Sequence, residues 1–372
     1  MEKKRSINIF FGLILVLVVS CIQEIPSDIR NLDDGEGWLM FDFGTTSPIE
    51  ITTKDTHDEI VESQIYNFYL LIFDNEGNKM YGQYFDGADP EKYATNLSDF
   101  QNASGDCWYV QNMTSSGGQT TGKVKVKASA GSNLKVYMLV NLDADMVKIS
   151  SDLLSHTIKN ETDLKNFSVF MNQTTVARNG YFPMNGSLSN VTIADGNISS
   201  PDGTLMLKRL DAKIRFIFKQ GERVDEKGQK ITKFEAKQWK VVNVPRTAYL
   251  LDYNAREKTE TRGQDHGNVP PTTIPDEYSQ YAANFFDTEF VNFEKFPSTG
   301  QSEFSFYMLE NRQIPKNTPS EYQDRSRQVK RVDAGFEGEN TYCEVSYSVD
   351  GNPVTREMRV FEYANDFSTY VL

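Results

Sequence analysis

The sequence predicts an all-β protein made of β-sandwich structure. Apolar and polar residues alternate over short runs, whereas helical periodicity is rare. The runs are separated by Gly-, Asn-, Asp- and Pro-containing stretches at the spacing typical of β-sandwiches. Hydrophobic residues make up 38% of the chain, with 24 Phe and 18 Tyr, which is enough to form a sizeable core and excludes wholesale disorder.

Short alternating or apolar runs predict the individual strands. They are Trp38–Phe43, Gln64–Phe73, Lys79–Phe85, Lys123–Ala128, Leu134–Leu142, one within Leu205–Phe218, Lys237–Val244, Phe304–Leu309 and Tyr342–Tyr347. Asp74–Asn78 separates two of them and predicts a hairpin turn, since it lacks the spacing of a calcium loop. One helix is expected at or near Asp145–Leu154.

The length of 372 residues predicts about two domains. The turn-rich stretch Ser199–Thr204 precedes a strand and suggests a boundary near residues 198–205. We therefore expect an N-terminal domain over 38–200 and a C-terminal domain over 201–372. The Pro-bearing stretch Tyr253–Asp276 predicts a long surface loop within the second domain.

The first residues predict an export signal. A basic start is followed by the apolar run Ile9–Val19, which is the right length for a secretory signal and short for a membrane span. Ser20-Cys21 then resembles a bacterial lipobox, in which the Cys is lipidated and becomes the first mature residue. We expect a signal peptide over 1–20, lipidation of Cys21, a tether over 21–37 and a place at the outer membrane or cell surface. The alternative is a plain signal peptide with an incidental Cys.

Charge and motifs argue against several functional classes. The balance of 39 Lys+Arg against 52 Asp+Glu, a net charge of −13, disfavours nucleic-acid binding. Hydrolase, phosphate-loop, dinucleotide and zinc-protease motifs are absent from the sequence. The three histidines, His57, His156 and His266, are isolated. Cys107 and Cys343 suggest buried thiols more than a disulfide. We predict no cofactor, no metal site and no enzymatic activity.

Five segments in order resemble signatures of the fimbrillin family, the lipoprotein subunits of Bacteroidales-type (type V) pili. They are Phe68–Gly77, Val136–Asn141, Phe182–Gly186, Leu207–Lys213 and Phe306–Arg312. Their order and spacing match over about residues 38–370. The resemblance implies two tandem transthyretin-like β-sandwich domains, surface export, and partners that are other pilus subunits joined by strand exchange.

The resemblance also implies which strand is exchanged. In fimbrillin stalk subunits a protease cuts after a basic residue, removes the first strand and opens a groove. The corresponding strand here contains Trp38, Leu39, Met40, Phe41 and Phe43.

The chain departs from the family pattern at two places, and the first, the position of its Lys and Arg residues, favours an anchor, tip or accessory subunit over a polymerising stalk. The candidate processing residues are Arg30, which would leave the strand in place, and Lys54, which would remove it. In relatives a segment like Asn365–Phe367 precedes a final strand. Here we expect either a truncated product or an open sheet edge that accepts a partner.

The expected function is a lipid-anchored fimbrial subunit that contributes to adhesion to a host or bacterial surface ligand. The alternative is a surface glycan-binding lipoprotein, with an aromatic stacking platform for sugars. Its candidate residues are Tyr278, Tyr281, Phe285, Phe286 and Phe290. A coplanar, exposed set of rings would favour glycan binding, and buried rings would favour the pilus subunit.

Overall fold

The structure is a computed structural model, and every statement below concerns the residues that it describes. These are 35–45, 63–87, 89, 91–103, 105–113, 119–142, 157–170, 182–219, 226–229, 234–251, 285–293, 301–309 and 341–359.

Strands dominate the described residues, so the all-β prediction is confirmed. The strands are β1 Glu36–Thr45, β2 Asn67–Phe73, β3 Lys79–Asp86, β4 Cys107–Met113, β5 Thr120–Ser129, β6 Gly131–Val140, β7 Ser168–Phe170, β8 Met184–Ile193, β9 Ile198–Ser199, β10 Thr204–Arg209, β11 Asp211–Lys219, β12 Phe234–Val242, β13 Val244–Pro245, β14 Thr247–Tyr249, β15 Phe285–Phe286, β16 Val291–Asn292, β17 Gln301–Leu309, β18 Tyr342–Val349 and β19 Asn352–Arg359. The described helices are α1 Leu97–Asn102 and α2 Glu161–Asn166. The helix expected near Asp145–Leu154 lies outside the described residues.

The largest sheet has nine strands. Its order is β3-β2-β6-β8-β10-β1-β5-β4, and β9 pairs with β1 beside this path. Strand β1 runs parallel to β9 and β10, while the other pairs of this sheet are antiparallel.

This sheet curls over a single apolar core. Phe41 and Phe43 from β1 belong to the same buried cluster as Phe68 and Leu70 from β2, although three strands, β6, β8 and β10, lie between β1 and β2 along the sheet path. The Phe68 ring stacks on Phe85 with 4.5 Å between centroids. Alternate residues of both halves therefore face each other, as in a β-sandwich.

Strand β2 is buried on both of its faces, which explains its unbroken apolar sequence. Its second face, with Tyr69, Leu71 and Phe73, joins another cluster that also contains Leu250 and Leu309. Strand β7 pairs with β14 next to this cluster. The two parts of the chain therefore pack through apolar contacts on the outside of β2 and β6.

The remaining strands form small sheets around a third cluster. Strands β11 and β17 pair along nine residues, and a separate sheet has the order β16-β12-β18-β19. Between them, the Trp239 ring stacks on Phe304 at 4.1 Å and 13°. Phe306 and Val241 are buried in the same cluster.

The stretch after residue 200 contributes to both parts. We expected residue 201 to begin the second domain, with one strand within Leu205–Phe218. That stretch contains two strands, and the first of them, β10, pairs with β1 and β8 inside the nine-stranded sheet. The second, β11, pairs with β17.

The predicted hairpin turn at Asp74–Asn78 is confirmed. The Asp74 carboxylate accepts hydrogen bonds from the backbone N–H of Glu76 at 2.9 Å and of Asn78 at 2.8 Å. Gly77 has a φ of 86°, in the left-handed region that glycine adopts freely. Because backbone donors of the turn occupy this carboxylate, it shapes the hairpin between β2 and β3.

Candidate functional site: the slot of the first strand

Strand β1 comes first among the described strands, yet it lies inside the largest sheet. It pairs with β5 over nine residues, from Glu36↔Ser129 to Gly44↔Thr121. Its other edge pairs with β10 at Asp42–Thr45 and with β9 at Trp38 and Leu39. We call the space that β1 fills between β5 and the pair β9/β10 the β1 slot.

The inward row of β1 fills the core. Leu39, Phe41 and Phe43 are 0%, 3% and 0% exposed, because every second side chain of a strand points to the same face. The Phe43 ring lies 6.2 Å from the Phe68 ring across the core. At about 25 cal/mol per Å² of apolar surface, three such side chains are worth several kcal/mol of burial.

Two glycines allow close approach to β1. A Cβ at Gly122, opposite Phe43, would lie 2.2 Å from the Phe43 Cζ and 2.4 Å from the Val110 carbonyl oxygen. A Cβ at Gly37 would lie 2.2 Å from the Ala194 carbonyl oxygen in the turn between β8 and β9. The β1 slot is therefore shaped for a large ring at one position and for no side chain at another.

The outward row of β1 faces three lysines of β5. We call Lys123, Lys125 and Lys127 the lysine row. Asp42 pairs with Lys123, which lies directly opposite, and Glu36 pairs diagonally with Lys127. The Lys127 ammonium donates a hydrogen bond to Glu36, and this bond raises the pKa of Lys127. The Lys125 ammonium lies 4.5 Å from the centre of the Trp38 ring, within cation–π range.

Backbone contacts close the ends of the β1 slot. The Thr45 hydroxyl accepts a hydrogen bond from the backbone N–H of Thr120 at 3.0 Å. At the other end the Ala130 N–H donates to the Gly35 carbonyl at 2.9 Å. The Trp38 N–H donates to the Asn197 carbonyl at 2.8 Å. These contacts fix the register of β1 along its whole length.

The structure brings together the residues expected to form the exchangeable strand. Trp38, Leu39, Met40, Phe41 and Phe43 all lie on β1. The other predicted site residues, Cys21, Arg30 and Lys54, and the three histidines lie outside the described residues.

Glu161, at the start of α2, lies at the centre of a second polar cluster. Its carboxylate accepts hydrogen bonds from Lys135 at 2.7 Å and from the Tyr137 hydroxyl at 2.6 Å, and it pairs with Lys165 at 3.1 Å. Burial alone would raise the pKa of Glu161, but these three donors outweigh it and lower the pKa to about 2. The group lines an open cleft of about 570 Å³ bordered by Asn185. A carboxylate so held is a structural anion and a poor proton donor.

Of the aromatic set proposed for glycan stacking, only Phe286 and Phe290 have side chains within the described ranges, so the platform stays a prediction. Phe286 is half-buried and packs against the third apolar cluster, with Arg246 over its ring at 4.6 Å. Phe290 is 41% exposed. Tyr278 and Tyr281 and the side chain of Phe285 lie outside the description.

The lysine row was not among the sites predicted from the sequence. The signal was present in Lys123–Ala128, where valines alternate with lysines and therefore place the lysines on one face. What a single strand could not indicate was that this face lies beside β1. The two thiols that the sequence analysis considered, Cys107 and Cys343, are free, and burial raises the pKa of Cys343 to about 12.

The described residues contain no group of three or more His, Cys, Asp or Glu side chains able to hold a metal ion. Within the same ranges, no helix has both the length and the apolar character needed to cross a membrane.

No protein-family model matches the chain, and no curated protein matches it. Solved structures similar to it include the tip fimbrial protein Mfa3 of Porphyromonas gingivalis with a C-terminal truncation, at 14% identity and a TM-score of 0.48, covering 89% of this chain and 83% of that chain. A fimbrilin of P. gingivalis W83 has 11% identity and a TM-score of 0.46, covering 90% and 86%. A fimbrial assembly protein of Parabacteroides distasonis has 16% identity and a TM-score of 0.41, covering 91% and 88%.

Proposed function

We propose that the chain is a non-enzymatic pilus subunit of the cell surface that assembles by β-strand complementation. The observation that supports this most is the place of β1, first among the described strands and interior in the sheet. A single cut between Thr45 and Ser63 would separate β1 from every other described strand. Few strands in a sheet can leave the fold through one break of the backbone.

The physical consequence of such a cut favours assembly. Without β1, the edges of β5 and β10 would present unpaired N–H and C=O groups over an apolar groove. An extended segment from a neighbouring subunit would restore both ladders and the buried row of large side chains. Repeated head to tail, this contact yields a fibre and not a closed oligomer.

The arrangement of the fimbrillin-like segments supports the same proposal. Phe68–Gly77 forms β2 and its turn, Val136–Asn141 ends β6, Phe182–Gly186 begins β8, and Leu207–Lys213 ends β10 and begins β11. Strands β2, β6, β8 and β10 are successive neighbours in the sheet. Four of the five segments therefore contribute neighbouring strands to the sheet that contains β1, whereas Phe306–Leu309 of the fifth lies on β17, which pairs with β11.

We further propose that lipid on Cys21 holds the subunit to the outer membrane, and that the subunit serves as an anchor, tip or accessory component. Lys54 is the only Lys or Arg between Arg30 and Lys79, so a cut after Lys or Arg could release β1 only there. Copies that are not cut and keep β1 would terminate a fibre, while exposed loops contribute to adhesion. Its partners are other pilus subunits.

A reversible lock on β1 tests strand complementation. Met40 and Lys125 are directly opposite in the β1–β5 register, so Met40→Cys with Lys125→Cys, in a Cys107→Ala background, would join the two strands. The full chain is produced in a Bacteroidales host with its pilus subunits. We expect high-mass ladders from the Met40→Cys single variant and from the reduced double variant, and none from the oxidised double variant. Equal ladders from the oxidised lock would refute complementation through the β1 slot.

The anchor is tested separately with Cys21→Ala. Metabolic acyl labelling and protease accessibility on intact cells are compared for this variant and for the parent chain. We expect the label in the parent only, together with protease-sensitive protein at the surface. A parent chain that is unlabelled and freely secreted would contradict the anchor and leave strand complementation standing.

A further inference from the structure

The outward face of the β1 slot has a charge pattern that its apolar lining does not require. Burial of Leu39, Phe41 and Phe43 would be equally satisfied by any outward residues. Yet every outward position on β5 from residue 123 to 127 is a lysine. Three like charges on one strand face repel one another unless the neighbouring strand neutralises them.

Strand β1 supplies that neutralisation at matching positions. Asp42 pairs with Lys123, Glu36 pairs with Lys127, and the Trp38 ring lies 4.5 Å from the Lys125 ammonium. Each lysine of the row thus meets a different complementary group of β1. A slip of β1 by two residues would keep apolar side chains inward but would misalign these pairs.

We propose that the lysine row selects which strand can occupy the β1 slot. An occupant must present carboxylates to Lys123 and Lys127 and an aromatic ring beside Lys125, alternating with large apolar residues. The partner is therefore an extended acidic segment, and a basic segment of equal hydrophobicity is rejected. This inference rests on the proposed function and names the chemistry of the strand that the slot accepts.

The ion pairs between β1 and the lysine row contribute more to discrimination between strands than to the binding affinity of any one strand. The four ion-pair partners are partly exposed, with side-chain exposures of 38% and 49% for Lys123 and Asp42 and of 36% and 60% for Lys127 and Glu36. Exposed pairs add little to stability, but like charges placed opposite each other are unfavourable. Replacing both acidic residues of the occupying strand with lysine should weaken its binding to the β1 slot about tenfold.

The test uses the full chain with the recognition sequence of a site-specific protease placed within residues 46–62. After cleavage, with both pieces present, a fluorescent peptide with the sequence of residues 36–45 is added at low salt. It competes with the same peptide bearing Glu36→Lys and Asp42→Lys. We expect the native peptide to be taken up about tenfold better, with the preference shrinking in about 1 M salt because the Debye length falls to about 3 Å.

Receptor variants provide the matched control. Lys123→Glu with Lys127→Glu should invert the preference toward the reversed peptide. Lys227→Glu with Lys237→Glu makes the same change in net charge outside the β1 slot and should keep the native preference. Equal uptake of both peptides would overturn the selection proposal while leaving strand exchange intact. Uptake of neither peptide by a cleaved chain that stays folded would overturn both.

A second measurement covers the case in which the cleaved chain does not stay folded. In the uncleaved chain, Asp42→Lys and Lys123→Glu form a double-mutant cycle read by urea unfolding. We expect each single variant to lower the urea concentration at the unfolding midpoint, and the double variant to recover most of that decrease. Strictly additive losses would overturn the selection proposal.

Discussion

At the scale of single residues, the packing around β1 depends on a missing side chain at Gly122. The nearest atoms to a Cβ there are the Phe43 ring and the Val110 carbonyl oxygen, and the latter belongs to the backbone and cannot turn away. Gly122→Ala should therefore lower the free energy of unfolding by about 2 kcal/mol through overpacking. Urea unfolding of the purified chain measures this loss.

Gly44→Ala is the control for that substitution. Gly44 lies on β1 near Gly122, but a Cβ there would meet its nearest atom, the Thr121 Cγ2, at 3.7 Å, an ordinary contact. We expect Gly44→Ala to leave stability within about 0.5 kcal/mol. Equal free energies of unfolding for the two alanine variants would contradict the close packing of Phe43 over Gly122.

Asn141 is a second residue whose side chain fixes the backbone around it. It has a φ of 58°, and its side chain accepts from the Tyr66 N–H at 2.8 Å and donates to the Gln64 and Phe182 carbonyls at 2.7 and 3.0 Å. It thus joins the end of β6 to the entry of β2 and of β8. Asn141→Ala should cost about 3 kcal/mol, from strain and from buried groups left without partners.

The strain can be separated from the lost hydrogen bonds with Asn133→Ala. Asn133 has a similar φ of 55° and is exposed. Its substitution should cost about 1 kcal/mol, the left-handed backbone penalty alone. Equal losses at the two sites, measured by thermal unfolding, would show that the Asn141 side chain contributes nothing beyond its backbone conformation.

At the scale of elements, Glu161 fastens α2 to β6. The helix is short and has a capping box, in which the Asn160 side chain accepts from the Asp163 N–H at 2.8 Å. Glu161 then binds Lys135 and Tyr137 on β6. Glu161→Gln should lower the free energy of unfolding at pH 7 by about 2 kcal/mol, because it removes the charge that these donors stabilise.

The pH dependence of that difference has a definite sign. The folded-state pKa of Glu161 is about 2, below its ordinary value of 4.5. Its contribution is therefore complete above pH 4.5 and is lost as the pH falls from 4.5 through 2. Unfolding of the parent and of Glu161→Gln should converge over that range, whereas the exposed Glu91→Gln should not change the profile. A difference independent of pH would contradict the role of the Glu161 carboxylate.

The elements also show what local sequence can and cannot predict. Alternation in Trp38–Phe43 and Lys123–Ala128 predicted both strands, because the strand period is visible in one segment. The parallel pairing of β1 with β10 was not predictable, since it joins residues about 160 positions apart by contacts that neither segment encodes alone. For the same reason the pairing of β10 with β1 and β8 could not be predicted from the turn-rich stretch that precedes β10.

At the scale of the whole molecule, the candidate site is an element and not a cluster of reactive side chains. The sequence motifs indicated a strand with Trp38, Leu39, Met40, Phe41 and Phe43, and the structure places that strand in the interior of a curled sheet. The lysine row lies beside β1 because β5 pairs with β1, and neither segment of sequence indicates this pairing alone.

The most direct measurement of the central claim is native mass spectrometry of the full chain after one cleavage within residues 46–62. The cleaved chain is incubated with an isotopically heavy peptide of residues 36–45, in urea below the unfolding midpoint. The β1 slot proposal predicts that the heavy peptide replaces the cleaved N-terminal piece one for one while the rest of the fold stays intact. A cleaved chain that keeps its own β1 indefinitely, or that loses its fold as soon as β1 leaves, would contradict the proposal.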